Sequence, residues 1–185
     1  MEYLVTMTTR VPAGTPDQTV EDVRARETVR GRELAERGHM LRLWRPPLGP
    51  GEWRSIGLFA AGGDAELEKI LASMPLRIWR TDQVTPLVPH PHDPARPIAP
   101  ARPPEFLTRI SLAAGVEEPD WRGQDHLVRL WRRPAGAPGT LGLWRTRDAG
   151  ELHATLASLP QYASMTVETT PLTGHPNDPG AAVRP

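Results

Sequence analysis

Apolar positions along the chain change period several times, and each change marks an element. From Glu2 to Thr8, Tyr3, Val5 and Met7 alternate with Leu4 and Thr6, β-formers on both faces, which predicts a strand. Val11 to Gly14 turn the chain. Thr15-Pro16-Asp17-Gln18 then predicts a helix start, with Thr15 as N-cap, Pro16 at the first position and Gln18 closing a capping box. This helix should run to about Arg37 and stop at Gly38. Met40 to Arg45 reads as a second strand, Leu48 to Trp53 as a Gly/Pro loop and Ser55 to Ala60 as a third strand. Asp64 should cap a second helix with the stripe Leu67, Ile70, Leu71 and Met74, ended by Pro75. Trp79 to Leu87 supplies a last strand. The order is βαββαβ, the ferredoxin-like arrangement.

The pattern then returns. Met40-Leu41-Arg42-Leu43-Trp44-Arg45 recurs as Leu127-Val128-Arg129-Leu130-Trp131-Arg132, and Leu71-Ala72-Ser73-Met74-Pro75 as Leu156-Ala157-Ser158-Leu159-Pro160. Thr85-Pro86-Leu87, His90-Pro91 and Asp93-Pro94 recur as Thr170-Pro171-Leu172, His175-Pro176 and Asp178-Pro179. Two copies at so long a period indicate a duplicated domain and not a solenoid. Tyr3-Leu4-Val5 matches Phe106-Leu107-Thr108 at a longer offset, so the second copy lacks most of its first helix. In that copy, strands are expected at Phe106–Ser111, Leu127–Arg132, Leu141–Arg145 and Met165–Thr170. A short irregular piece covers Ala113–Gln124, and a helix from Asp148 to about Leu159 is capped by Asp148 and Glu151. The expected organisation is repeat one at 1–88, a Pro-rich linker at 89–104, a degenerate repeat two at 105–176 and a flexible tail at 177–185. The fold class is α+β: two ferredoxin-like repeats packed sheet to sheet as a pseudo-dimeric α/β barrel. Each repeat alone is short for burying its sheet face, which favours a partner.

Composition narrows the function. Lys+Arg and Asp+Glu both number 22, so nothing suggests a nucleic-acid partner. The absence of cysteine excludes a disulfide framework and a thiol nucleophile. No apolar run reaches the roughly 20 residues of a membrane span, and the chain opens on a strand with no export signal; a cytoplasmic protein without membrane contact is expected. The six histidines do not group with metal-ligand spacing, which speaks against a haem or metal-dependent enzyme. No phosphate loop, dinucleotide fingerprint or serine elbow occurs.

Glu27 is the informative charge. Val20, Val23, Gly31 and Leu34 lie in one stripe of the first helix, and Glu27 falls in its middle. An inward carboxylate is costly unless paired, protonated or lining a cavity. Desolvation raises its pKa, which suits a base that takes and returns a proton. An internal ion pair with an inward arginine is the structural alternative. Alternation places Arg42 and Trp44 on one strand face and Leu43 and Arg45 on the other. One of these arginines should grip a substrate carboxylate or form a salt bridge. Trp53 and Trp79 are candidates to wall an apolar pocket.

These residues, taken in order, resemble the muconolactone delta-isomerase family. The matching features are Tyr3-Leu4-Val5-Thr6-Met7, Pro12, Arg26-Glu27, Glu33-Leu34, Gly38, Leu43-Trp44-Arg45, Glu66-Leu67, Leu71, Met74-Pro75-Leu76 and Val84-Thr85-Pro86-Leu87 with His90-Pro91. The resemblance implies small ferredoxin-like subunits paired sheet to sheet in a larger oligomer. It also implies a cofactor-independent isomerase that moves a double bond in an unsaturated lactone, with Glu27 where the family carries its glutamate. Ser55 stands where the family has an asparagine, Ala60 replaces an aspartate, Trp79-Arg80 replace Tyr-Met, and Arg42 replaces a histidine. The expected site is Glu27 as base, with Arg42, Arg45, Trp53, Ser55 and Trp79 around a small-molecule substrate, and no metal. Homo-oligomers of fused pseudo-dimers are expected. Rival readings are a cyclase or isomerase of specialised metabolism acting on a larger substrate, and a non-catalytic binding or scaffold protein.

Overall fold

The computed structural model describes residues 1–98, 104–132 and 139–179. The fold is α+β, with eight strands and three α-helices among the described residues. In chain order these are β1 (Glu2–Thr9), α1 (Asp17–Glu36), β2 (Met40–Arg45), β3 (Arg54–Ala60), α2 (Asp64–Ala72), β4 (Arg80–Pro89), β5 (Glu105–Leu112), β6 (Leu127–Arg132), β7 (Thr140–Arg145), α3 (Ala149–Ala157) and β8 (Met165–Gly174). Short 3-10 helices at Pro75–Trp79 and Tyr162–Ser164 precede β4 and β8. Between β5 and β6, residues 113–126 form turns and irregular chain with no helix.

The chain divides into two compact units, and the division is not a simple cut. The first unit contains residues 1–86 together with 174 onwards; the second contains 87–173. Residues 174–179 therefore belong with the first unit, while the end of β4, from Leu87, joins the second.

In the first unit β3 pairs antiparallel with β1 and β2, Tyr3 facing Phe59 and Leu43 facing Gly57. A Cβ at Gly57 would overlap the Phe59 ring, so glycine lets that ring lie flat on the sheet. Tyr3, Val5, Met7, Leu34, Met40, Phe59, Leu67, Ile70 and Leu71 form one buried cluster. The predicted stripe of α2 is thus its buried face. Gly38, at φ 73°, takes the left-handed conformation that ends α1.

In the second unit β7 pairs with β5 and β6, and β5 also pairs with β8. Val88 and Pro89 pair with Arg132 and Trp131. Gly142 repeats the Gly57 device: a Cβ there would lie 2.5 Å from the Trp144 Nε1. The core gathers Phe106, Ile110, Leu127, Leu130, Trp144, Leu152 and Leu156 around Trp121. Trp121 comes from the irregular segment and meets Trp144 edge to face, with ring centroids 6.2 Å apart.

Four local expectations are corrected. Thr15 does not cap α1; its hydroxyl donates to the Pro12 carbonyl, and Gln18 bonds Asp22, so no capping box forms. Asp64 does not cap α2: its carboxylate accepts the Tyr3 hydroxyl at 2.9 Å, a stronger use for a charge beside a buried phenol. The tail expected to be loose from residue 177 is anchored as far as it is described. Asp178 is 3 % exposed and Asn177 donates to Thr28 Oγ1 at 3.0 Å; residues 180–185 lie outside the described residues. The expected linker at 89–104 is also held over part of its length, since the His90 and Arg96 N–H groups donate to the Leu130 and Val128 carbonyls. Its residues 99–103 lie outside the described residues. Asp148 does cap α3, accepting the Glu151 N–H at 2.8 Å.

Candidate active site

Helix α1 buries Val23, Glu27, Gly31 and Leu34, the face its periodicity marks. Glu27 is therefore carried inward by the same 100° spacing that buries its apolar neighbours. Two groups meet its carboxylate. The Leu76 N–H, freed at the start of the 3-10 helix, donates to Oε2 at 2.8 Å. Arg80, on the first residue of β4, donates from Nη1 to Oε1 at 3.2 Å.

Arg80 is not Glu27's alone. Its Nε lies 2.6 Å from Asp82 Oδ1, and its Nη2 donates to Oδ2 at 3.0 Å. Strand alternation puts residues 80 and 82 on one face. Asp82 also pairs with Arg77, whose other amino group reaches Glu68 at 2.9 Å. With Glu27 ionised, the trio Glu27–Arg80–Asp82 holds two negative charges and one positive. Burial raises the Glu27 pKa most; the Leu76 N–H and Arg80 lower it, and Asp82 raises it again, leaving it above the usual carboxylate value.

Glu27 borders a cavity of about 170 Å3. Buried Met7, Met40, Leu43 and Met74 supply its apolar wall; exposed Arg24 and Arg45, with half-buried Trp53, mark its mouth. A shallower hollow of about 260 Å3 shares Arg24, Arg45 and Trp53 with it and adds Arg54. The mouth is thus cationic. Arg24 stacks over Trp53 at 5.5 Å and pairs with Glu21, whereas Arg45 has no ion-pair partner among the described residues.

The chain's last described segment closes the cavity. His175, Pro176 and Asn177 line it. The His175 N–H donates to the Leu43 carbonyl at 3.0 Å, and the Asn177 N–H donates to His175 Nδ1 at 3.0 Å. Asp178 locks this turn: it accepts from Arg42 Nε at 3.0 and 3.1 Å and from the Leu43 N–H at 2.9 Å. His175 stays neutral over the physiological range. Burial first, then the nearby Arg45 and Arg24 charges, push its pKa down to about 4.

Of the residues expected at the site, Glu27, Arg45, Trp53 and Ser55 line the cavity. Arg42 does not. It is 2 % exposed, held by Asp178, with its guanidinium 4.9 Å from the Trp44 ring centroid. Trp79 is also outside the lining; its carbonyl accepts the Arg10 N–H. Sequence reasoning missed Arg80, Asp82, His175 and Asn177 as site residues. Two signals were available: Arg80-Thr81-Asp82 alternates like-facing charges in a strand, and the His-Pro-x-Asp-Pro turn occurs in both copies. Among the described residues no group of three or more His, Asp or Glu side chains is arranged to hold a metal ion.

The muconolactone delta-isomerase family description matches residues 1–93 and again residues 101–178. The chain belongs to the muconolactone delta-isomerase family. Residues matching the Muconolactone Delta-isomerase of Cupriavidus pinatubonensis are 33 % identical over 91 positions, 49 % of this chain and 96 % of that protein. Muconolactone Delta-isomerase 1 of Acinetobacter lwoffii is 31 % identical over 91 positions, 49 % of this chain and 92 % of that protein. Both family matches run through the aspartate of the His-Pro-x-Asp turn, Asp93 and Asp178. Solved structures share the fold. A chlorite dismutase variant from Candidatus Nitrospira defluvii superposes with a TM-score of 0.61 at 10 % identity, over 93 % of this chain and 91 % of that one. A heme-binding protein from Thermus thermophilus gives 0.54 at 13 % identity, over 93 % and 92 %. At such identities the likeness is one of fold alone. No described helix of this muconolactone delta-isomerase family member is long and apolar enough to cross a membrane.

Proposed function

We propose that the chain is a cofactor-independent isomerase that moves a double bond in a small unsaturated lactone, with Glu27 as the proton carrier. One observation supports this above the others: a buried carboxylate with a raised pKa borders a cavity while a single N–H and a shared guanidinium hold it in place. Glu27 takes the proton from the γ ring carbon of an α,β-unsaturated lactone, which is acidic through conjugation with the carbonyl. The C–H electron pair moves into a conjugated dienolate, and the same carboxyl returns the proton at a different ring carbon. No atom is gained or lost. Protonation removes one of two negative charges from the Glu27–Arg80–Asp82 trio, so the intermediate state costs little in the protein interior. Arg45 and Arg24 at the mouth suit a substrate that carries a carboxylate. A cavity of about 170 Å3 fits a compact ligand better than a large one; pockets for drug-sized ligands measure roughly 300–1,000 Å3.

The two matches to one family further support a fused pseudo-dimer in which only the first copy carries the acid–base group. The scaffold alternative has one observation in its favour, the Glu27–Arg80 pair. One experiment separates the two readings. Muconolactone is incubated with the protein in deuterated water and its ring protons are followed by NMR. Wild-type protein should exchange and isomerise it, and Glu27→Gln should lower the rate by about 10²–10⁴-fold. Exchange at the wild-type rate in Glu27→Gln removes Glu27 from the role.

A further inference from the structure

The His-Pro-x-Asp-Pro turn is built the same way twice, and the one atom that differs points to a role. In the first unit the turn is His175-Pro176-Asn177-Asp178-Pro179; in the second it is His90-Pro91-His92-Asp93-Pro94. The His90 N–H donates to Leu130 O at 3.1 Å as that of His175 does to Leu43 O. The His92 N–H donates to His90 Nδ1 at 2.9 Å, as that of Asn177 does to His175 Nδ1. Asp93 accepts from Arg129 Nε and from the Leu130 N–H at 3.0 and 2.9 Å, matching Asp178 with Arg42 and Leu43. In both turns Nδ1 accepts a backbone hydrogen bond, so the ring proton of the neutral imidazole sits on Nε2.

The destinations of Nε2 diverge. His90 Nε2 lies 2.9 Å from Glu118 Oε1, a carboxylate from the irregular segment that stands where the first copy has α1. Among the described residues His175 Nε2 has no protein partner, and its ring lines the cavity that Glu27 also lines. The second unit sets a carboxylate within ion-pair distance of this nitrogen; in the first, the ring borders the cavity instead.

We infer that His175 Nε2–H is a substrate-binding donor for a carbonyl or enolate oxygen of the ligand, opposite Glu27 as the group that handles the proton. This inference rests on the proposed lactone chemistry. A neutral imidazole donor polarises a carbonyl without competing for the proton Glu27 carries. The turn's backbone bonds and the Asp178–Arg42 clasp hold the ring in one tautomer and one orientation before the ligand arrives. The donor belongs to the segment that follows the second repeat, so the first repeat's site is incomplete without it.

The test is a titration of the full-length protein, labelled with ¹⁵N-histidine, against muconolactone. The His175 Nε2–H resonance is expected to shift on binding while that of His90 stays in place. His175→Ala should weaken binding at least tenfold, and His175→Gln, which keeps an amide donor, should recover part of it. Glu27→Gln should bind as wild type does while losing exchange. The inference is overturned if muconolactone binds without moving the His175 signal, or if His175→Ala, folded by circular dichroism, binds it as wild type does. Failure of wild-type protein to bind muconolactone overturns both this inference and the lactone reading. Binding with a shifted His175 signal but no exchange in wild-type protein overturns the role of Glu27 and leaves His175 as a ligand donor.

Discussion

The two units share a scaffold of strand, glycine and aromatic positions yet fill their interiors differently. The first places Glu27, Arg80 and Asp82 beside a cavity. At the positions matching Arg80 and Asp82 the second has Met165 and Val167, which pack against its core, and Trp121 fills the centre. The acid, its guanidinium and the guanidinium's second partner are therefore present together or absent together. A buried charge is tolerated only as part of a satisfied set, so loss of the helix that carries the acid removes the reason to keep the others. What both units retain is the aspartate clasp on the arginine of the Leu-Trp-Arg strand, which serves the fold in either case.

The comparison can be broken at the clasp first. Asp178→Ala removes the carboxylate that clasps the buried Arg42 and is expected to cost about 3–5 kcal/mol in denaturant unfolding. Asp93→Ala should cost less, because Arg129 is 13 % exposed at its side chain against 3 % for Arg42. Equal losses would show that burial does not grade the two clasps. The filled interior comes next. Trp121→Ala should destabilise the protein by about 3 kcal/mol, the lower end for a buried tryptophan because its irregular segment can partly collapse, and should leave the exchange activity unchanged.

Smaller effects sharpen the electrostatic contrast. Asp82→Asn removes a negative charge that holds the Glu27 pKa up and frees Arg80 for Glu27. The acid limb of the pH–rate profile, or a ¹³C titration of the Glu27 carboxyl, should move to lower pH. The smallest expected effect concerns His175. Its pKa is about 4 in the folded protein and near 6.5 unfolded, so below pH 6.5 the unfolded chain binds a proton that the folded one refuses. Stability from this group is present above pH 6.5 and is lost as pH falls towards 4. His175→Gln should flatten this part of the stability–pH curve; an unaltered slope would show that the imidazole titrates freely.

Periodicity made most of the architecture legible. The strand and helix positions follow from alternation and from the stripes Val23–Glu27–Gly31–Leu34 and Leu67–Ile70–Leu71. Glu27 could be singled out because a charge in an apolar stripe contradicts its surroundings. Arg42 was harder. Alternation correctly separates it from Arg45, but which face meets a cavity depends on where Asp178 lands, 136 residues away in the chain. The same distance hid His175: a histidine in a Pro/Asp/Gly stretch looks like solvated loop until its turn is seen bonded to Leu43. Capping at Thr15 and Asp64 failed for a related reason, since Tyr3 and Pro12 compete for those side chains and helix-start chemistry does not include them.

The assignment of residues 174 onwards to the first unit has a temporal meaning for synthesis. A ribosome finishes the acid-bearing helix early but makes the turn that clasps Arg42 about 140 residues afterwards, since Glu36 ends that helix and Asp178 closes the clasp. A message truncated anywhere between would yield a protein with the Glu27 helix in place and one wall of the cavity missing.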